Sequence, residues 1–173
     1  MKNLLPWAVL LILLLCGCSL MKRPTPVSPS PSETEDEPLN ITSFSFTHSA
    51  SNADACFRFQ ITREEEGVRL YAEELFLGGR IAEATVGADI PEQLEALCAT
   101  CRIRRWDGFD KSKSHVSDGS SFTLAVTLAD GSTLSARGSN AFPDNYSDFY
   151  SEILTLYTQL MEQYGTKGAD MYE

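Results

Sequence analysis

A chain of 173 residues with 24 acids against 14 lysines and arginines carries a formal net charge of −10. That balance argues against nucleic acid as a partner, which needs a basic footprint, and against docking on anionic headgroups; it suits an exported domain kept soluble by its surface. With 43% hydrophobic residues there is apolar material for one core of ordinary size.

Residues 1–17 have the layout of a secretory signal peptide: Lys2 as a positive n-region, Leu4 to Leu15 as an apolar h-region, and Gly17 as the small residue before the cleavage point. A transmembrane helix is the weaker reading, because a span needs about 20 apolar residues, whereas this run contains Pro6 and is weakly flanked by bases. Leu15-Cys16-Gly17-Cys18 resembles the lipobox of bacterial lipoproteins, in which the cysteine thiol is diacylated and the preceding peptide removed. The resemblance implies lipidation of Cys18 and attachment to the extracytoplasmic face of the cell membrane. Each buried CH₂ contributes about 0.8 kcal/mol, so two or three acyl chains hold firmly with no spanning helix.

Residues 18–40 then read as the lipidated cysteine and a linker. From Pro24 to Asn40 there are five prolines and four acids, interspersed with serine, and almost no apolar side chain. Such a segment cannot offset its ordering entropy and stays extended. At about 3.1 Å per residue it would hold a domain on the order of 50 Å off the bilayer.

Residues 41–165 read as a single globular domain. Thr42 to His48 alternates, with Phe44 and Phe46 to one side, and predicts a strand. Ser51-Asn52-Ala53-Asp54 is the turn to a second strand, Cys56 to Ile61, with Phe57, Phe59 and Ile61 inward. Glu64-Glu65-Glu66-Gly67 turns into a third strand, Val68 to Leu77, and Gly78-Gly79 into a fourth, Arg80 to Gly87. Asp89-Ile90-Pro91-Glu92 predicts a helix start with Asp89 as the cap, and Ile90, Leu94, Leu97, Cys98 and Cys101 form one apolar face as far as Arg104. A loop is expected from Trp106 to Ser120. Phe122 to Leu128 and Thr133 to Gly138 are paired strands about an Asp130-Gly131 turn. Asn145 is placed to cap a last helix with a broad aromatic stripe, Tyr146, Phe149, Tyr150, Ile153, Tyr157, Leu160, Met161 and Tyr164, lying across the sheet. Residues 166–173 are expected to fray. The order β-β-β-β-α-β-β-α predicts a two-layer α+β domain, an antiparallel sheet of about six strands with two helices on one face. Strand order is not readable.

Chemistry-bearing constellations are sparse. Cys98-Ala99-Thr100-Cys101 sits inside the helix on its apolar face, not at the N-terminus where the dipole lowers a thiol pKa. Core thiols are the favoured reading, a disulfide from Cys56 to one of them the next, and redox or zinc roles with His48 and His115 the weakest. His115 near Asp110 and Asp118 lacks any G-x-S-x-G elbow and reads as a loop residue. Glu64 to Glu66 form a solvated turn. No cofactor motif and no metal-ligand spacing is present.

The most specific motifs are Trp106-Asp107-Gly108-Phe109, Asp118-Gly119-Ser120-Ser121-Phe122 and Gly138-Ser139-Asn140-Ala141-Phe142-Pro143-Asp144-Asn145-Tyr146. Through them residues 41–165 resemble a family of uncharacterised lipoproteins and exported proteins of Gram-positive anaerobes. The resemblance implies one domain at the cell surface and brings no active site. Structural roles suffice for much of both elements: Trp106 and Phe109 plugging the sheet end, Gly138 allowing a left-handed corner, Asn145 capping. A binding surface is expected where the loop around Arg104, Arg105, Trp106, Asp107 and Phe109 meets the corner carrying Asn140, Phe142, Asn145 and Tyr146, with Trp106 and Tyr146 as anchors and Arg104, Arg105 and Asn140 as polar contacts. The expected function is a membrane-anchored, non-enzymatic module binding a protein, peptide or cell-wall component. The alternatives are a cell-envelope enzyme or thiol-redox protein using Cys98 and Cys101 or His115, and a small-ligand carrier.

Overall fold

Alternating apolar residues build the first four strands close to where the sequence places them. The computed structural model describes residues 38–51, 56–76, 79–114, 116 and 118–167; the expected signal peptide, Cys18 and His115 lie outside them. Strand β1 (Ile41–Ala50) buries Phe44, Phe46 and His48 on one side, and its register against the later strand β6 (Ser120–Leu128) shifts between Ile41 and Ser43. This bulge leaves Thr42 as the extra residue, so that Ile41 and Phe44 both reach the interior. Strand β2 (Phe57–Glu64) sets Phe59 opposite Phe46 and Ile61 opposite Phe44.

Strand β3 (Gly67–Glu74) ends before the predicted Leu77; Glu74 is its last ladder residue, opposite Phe57, and its side chain holds the next strand. Its Oε2 accepts from the backbone N–H of Arg80 at 2.8 Å and its Oε1 from the Arg80 guanidinium at 2.9 and 3.0 Å, closing the connection to β4 (Arg80–Val86).

Helix α1 (Asp89–Thr100) starts one residue earlier than a capping Asp89 would require: Ala88 is the N-cap and no side chain caps it. Asp89 is instead an acid of the first turn, accepting from Gln93 Nε2 at 3.4 Å. The helix also stops short of Arg104. Arg102 adopts a left-handed backbone (φ 55°) and the chain continues as a 3₁₀ turn, Ile103–Trp106, that buries Ile103 and Trp106.

The expected loop contains a strand, β5 (Phe109–Ser112), parallel to β7 (Thr133–Ser139), with Phe109 opposite Ala136. Strands β6 and β7 form the predicted hairpin, with Gly131 at φ 84° and Asp130 Oδ1 accepting from Ser132 N–H at 2.8 Å. Gly138 does not make a left-handed corner. A Cβ there would lie 2.0 Å from the Ala141 carbonyl oxygen and 2.6 Å from the Phe122 ring, so close approach is what requires glycine. The left-handed residues of that corner are Asn140 (φ 52°) and Asn145 (φ 62°). Asn145 precedes helix α2 (Tyr146–Tyr164) as predicted, but it starts the helix through its backbone: its carbonyl accepts from Phe149 N–H at 3.1 Å and its side chain makes no cap bond.

The sheet has the order β5-β7-β6-β1-β2-β3-β4-β8, every pair antiparallel except β5–β7. Strand β8 is only Thr166–Lys167, so seven longer strands carry the fold where about six were expected. The additions are β5 and β8, the latter formed by the first two residues of the tail expected to fray, which pair with Ile81 and Arg80 of β4. The interior is aromatic: the Phe149 ring lies 5.3 Å from that of Phe46, and Tyr157 stacks on Phe57 at 4.4 Å. Burial extends into the expected linker, since Leu39 is 4% exposed. Glu95 on α1 fastens this beginning, its Oε1 accepting from Ile41 N–H at 2.7 Å and from Arg63 at 3.2 Å.

Candidate ligand-binding cleft

The loop after α1 and the corner before α2 meet, as the motifs suggested, and backbone pairing brings them together. Gly108 N–H donates to the Ser135 carbonyl at 2.8 Å and Lys113 N–H to that of Ser139 at 2.9 Å, at the two ends of the β5–β7 ladder. Asp107 Oδ1 accepts from Ser135 N–H at 2.9 Å, and Trp106 Nε1 donates to the Asp144 carbonyl at 3.0 Å. Between the two segments lies a cleft of about 240 Å³ lined by Arg102, Arg105, Phe109, Lys111, Phe142 and Asp144, among others.

The two expected anchors are not open to a ligand. Trp106 is 2% exposed and Tyr146 8%; their rings pack 5.8 Å apart within the core. The Tyr146 hydroxyl shares a 2.8 Å hydrogen bond with Nδ1 of His48, which itself is buried and lies 4.4 Å from the Tyr150 ring. Burial holds the His48 imidazole below its ordinary pKa and raises the phenols of Tyr146 and Tyr150 above theirs. His48 was weighed in the sequence only as a remote zinc ligand. The signal for its true place was its parity with Phe44 and Phe46 along β1.

Asn140 serves the scaffold as well, its Oδ1 accepting from Ser120 N–H at 2.9 Å and its Nδ2 donating to the Lys113 carbonyl at 3.3 Å. Arg104 is half-buried, its Nε enclosed without a hydrogen-bond partner, and it lines a narrow hollow with Leu39 and Cys98 instead of the cleft. What borders the cleft and remains accessible is Arg105, Asn145 and Phe142 from the expected set, together with half-buried Phe109. Phe142 stacks on Phe122 at 5.8 Å and lies 4.5 Å from Tyr146, so its exposed edge is held rigidly. Arg102 and Lys111 join from outside the expected set; Lys111 Nζ stands 5.2 Å from the centre of the Phe109 ring. Sequence reading missed Lys111 because it lies on a strand with no periodic signature.

Chemically, the cleft offers cationic donors beside aromatic edges. Among the described residues, Cys56, Cys98 and Cys101 are free thiols. Burial pushes the thiols of Cys98 and Cys101 up, Cys98 strongly, which opposes formation of the thiolate that redox or nucleophilic work needs. Asp110, one of the acids near His115 in sequence, is ion-paired to Arg137 at 2.5 Å. Among the described residues no cluster of three His, Cys, Asp or Glu is disposed to hold a metal, and no helix is long and apolar enough to cross a membrane. A search of known protein families and of curated proteins finds no match to this chain.

Proposed function

We propose that this chain is a lipid-anchored, extracytoplasmic binding module. Cys18 bears the lipid, the stretch between it and the buried Leu39 supplies reach, and the α+β domain presents the cleft between Arg102 and Asn145 to a protein, peptide or cell-wall component. The Leu15-Cys16-Gly17-Cys18 quartet at the end of an apolar run is the observation that carries the anchoring. We place the domain with the uncharacterised lipoproteins of Gram-positive anaerobes on its W-D-G-F, D-G-S-x-F and F-P-x-N-Y motifs. Within this reading both helices close one face of the sheet. The other face, with Ser45, Thr47, Thr123 and Ser135 on neighbouring strands, is left to solvent.

Binding is favoured over thiol chemistry by the burial of Cys98, which keeps that sulfur protonated and inaccessible. The decisive experiment is metabolic labelling with an alkynyl fatty acid followed by mass spectrometry of the mature amino end. A diacylglyceryl thioether on Cys18, absent from Cys18→Ser, is the expected result. An unmodified amino terminus, or recovery of the native protein from the cytosol, overturns the proposal.

A further inference from the structure

Five arginines outside the cleft are held in ion pairs. Arg58 pairs with Glu73 at 3.2 Å, Arg63 with Glu95 at 3.2 Å, Arg80 with Glu74 at 2.9 Å and Arg137 with Asp110 at 2.5 Å, and Arg69 pairs with Glu64. Among the described residues, Arg102 and Lys111 have no carboxylate in ion-pair range, although acids outnumber bases in this chain by 24 to 14. Asp144 lines the same cleft and is tied to it through its backbone, the carbonyl accepting from Trp106 Nε1 at 3.0 Å. Where acid is in surplus, cations collected beside an aromatic wall without acidic partners are a place where an external anion gains most.

We infer that this cleft is an oxyanion-binding site, taking a phosphate or carboxylate group carried on a flat apolar body. The guanidinium of Arg102 supplies planar paired donors that match either oxyanion, and Lys111 a point charge. Phe142, 38% exposed and braced by Phe122 and Tyr146, and the half-buried Phe109 offer the apolar surface for the rest of the ligand. The cleft volume of about 240 Å³ suits a single ring with its acid group. Arg102 is held at φ 55°, a backbone conformation that glycine adopts freely and that an arginine occupies at a cost. The chain thus keeps a guanidinium at a position where glycine would fit its backbone better.

This inference gives the binding-module reading its ligand chemistry and rests on it for the cellular setting. The test is isothermal titration of the full chain in detergent with phenyl phosphate, benzoate and the neutral benzamide. One oxyanion at least should bind while benzamide does not, and the stronger of the two distinguishes a phosphate from a carboxylate ligand. Affinity should fall as salt rises from about 50 to about 500 mM, as Debye screening shortens. Arg102→Gly is the informative variant: it should unfold at the same or a higher temperature, since glycine fits φ 55°, while losing roughly tenfold or more in affinity. Lys111→Gln should also weaken binding, and Arg137→Gln, whose guanidinium pairs with Asp110, should leave it unchanged. Oxyanion binding no tighter than that of benzamide, or binding undiminished in the Arg102→Gly/Lys111→Gln double variant, overturns the inference. Anchoring is read separately at the amino end: binding by an unacylated chain keeps the site and discards the anchor, and an acylated chain that binds neither oxyanion does the reverse.

Discussion

The His48–Tyr146 contact can be tested by a double-mutant cycle. His48 is 7% exposed and Tyr146 8%, and the 2.8 Å bond between Nδ1 and the hydroxyl joins β1 to the first residue of α2. Tyr146→Phe strands a buried ring nitrogen, which costs about 1–3 kcal/mol. His48→Leu strands the hydroxyl at a similar cost and also removes the ring 4.4 Å from Tyr150. The double variant leaves no orphaned polar group, so its loss should fall short of the sum of the singles by about 1–2 kcal/mol. Each kcal/mol corresponds to roughly 3–5 °C in Tm for a domain of this size. Urea unfolding followed by circular dichroism measures all four proteins. The pH dependence adds a second reading. Burial lowers the folded-state pKa of His48 below its ordinary 6.5, so as pH falls the unfolded chain takes up this proton first. The His48 contribution is therefore constant above about pH 7 and declines from about 6.5 toward the lower folded value. His48→Leu should lack that decline below about pH 6.5. Additive losses in the cycle, or an unchanged pH dependence in His48→Leu, would refute the coupling.

Three further outcomes follow from packing and burial. Gly138→Ala drives a methyl to 2.0 Å from the Ala141 carbonyl oxygen and should cost about 1–3 kcal/mol or prevent folding, readable by thermal melting; a neutral result would mean the corner can move aside. Trp106→Ala should lose about 3–5 kcal/mol in urea unfolding because it empties a core position and removes the bond to Asp144; a loss under about 1 kcal/mol would contradict its burial. In the native protein Cys56 should react with a thiol reagent well before Cys98, which is fully buried with its thiol pKa raised, whereas rapid labelling of Cys98 would place it outside the core.

Local elements were legible because their signals are local. Phe44 and Phe46, Phe57 and Phe59, and Leu124 and Val126 alternate in sequence and are buried as alternation requires. The stripe from Tyr146 to Met161 has helical spacing, and it is the face that packs. Errors fell where a neighbour distant in sequence decides. Strand β5 exists because β7 offers it an edge, and F-D-K-S alone carries no period. Asp89 and Asn145 have capping chemistry, yet backbone conformation around each left the side chain without a cap bond. The meeting of the two motif-bearing segments was foreseen, but the division of their residues between core and cleft was not. A tryptophan in a loop reads the same in sequence whether it is buried or open.

Charge balance, the apolar run before Cys18, the proline-rich acidic stretch and the class of fold are properties of the chain read in one dimension. They depend on composition or on residues within a turn of each other. Strand order, the parallel β5, the burial of Trp106 and Tyr146, the His48–Tyr146 bond and the convergence of Arg102 with Lys111 were decided by tertiary structure. Each joins segments far apart in the chain, and such contacts form only once packing has paired the strands, a selection that no local propensity encodes.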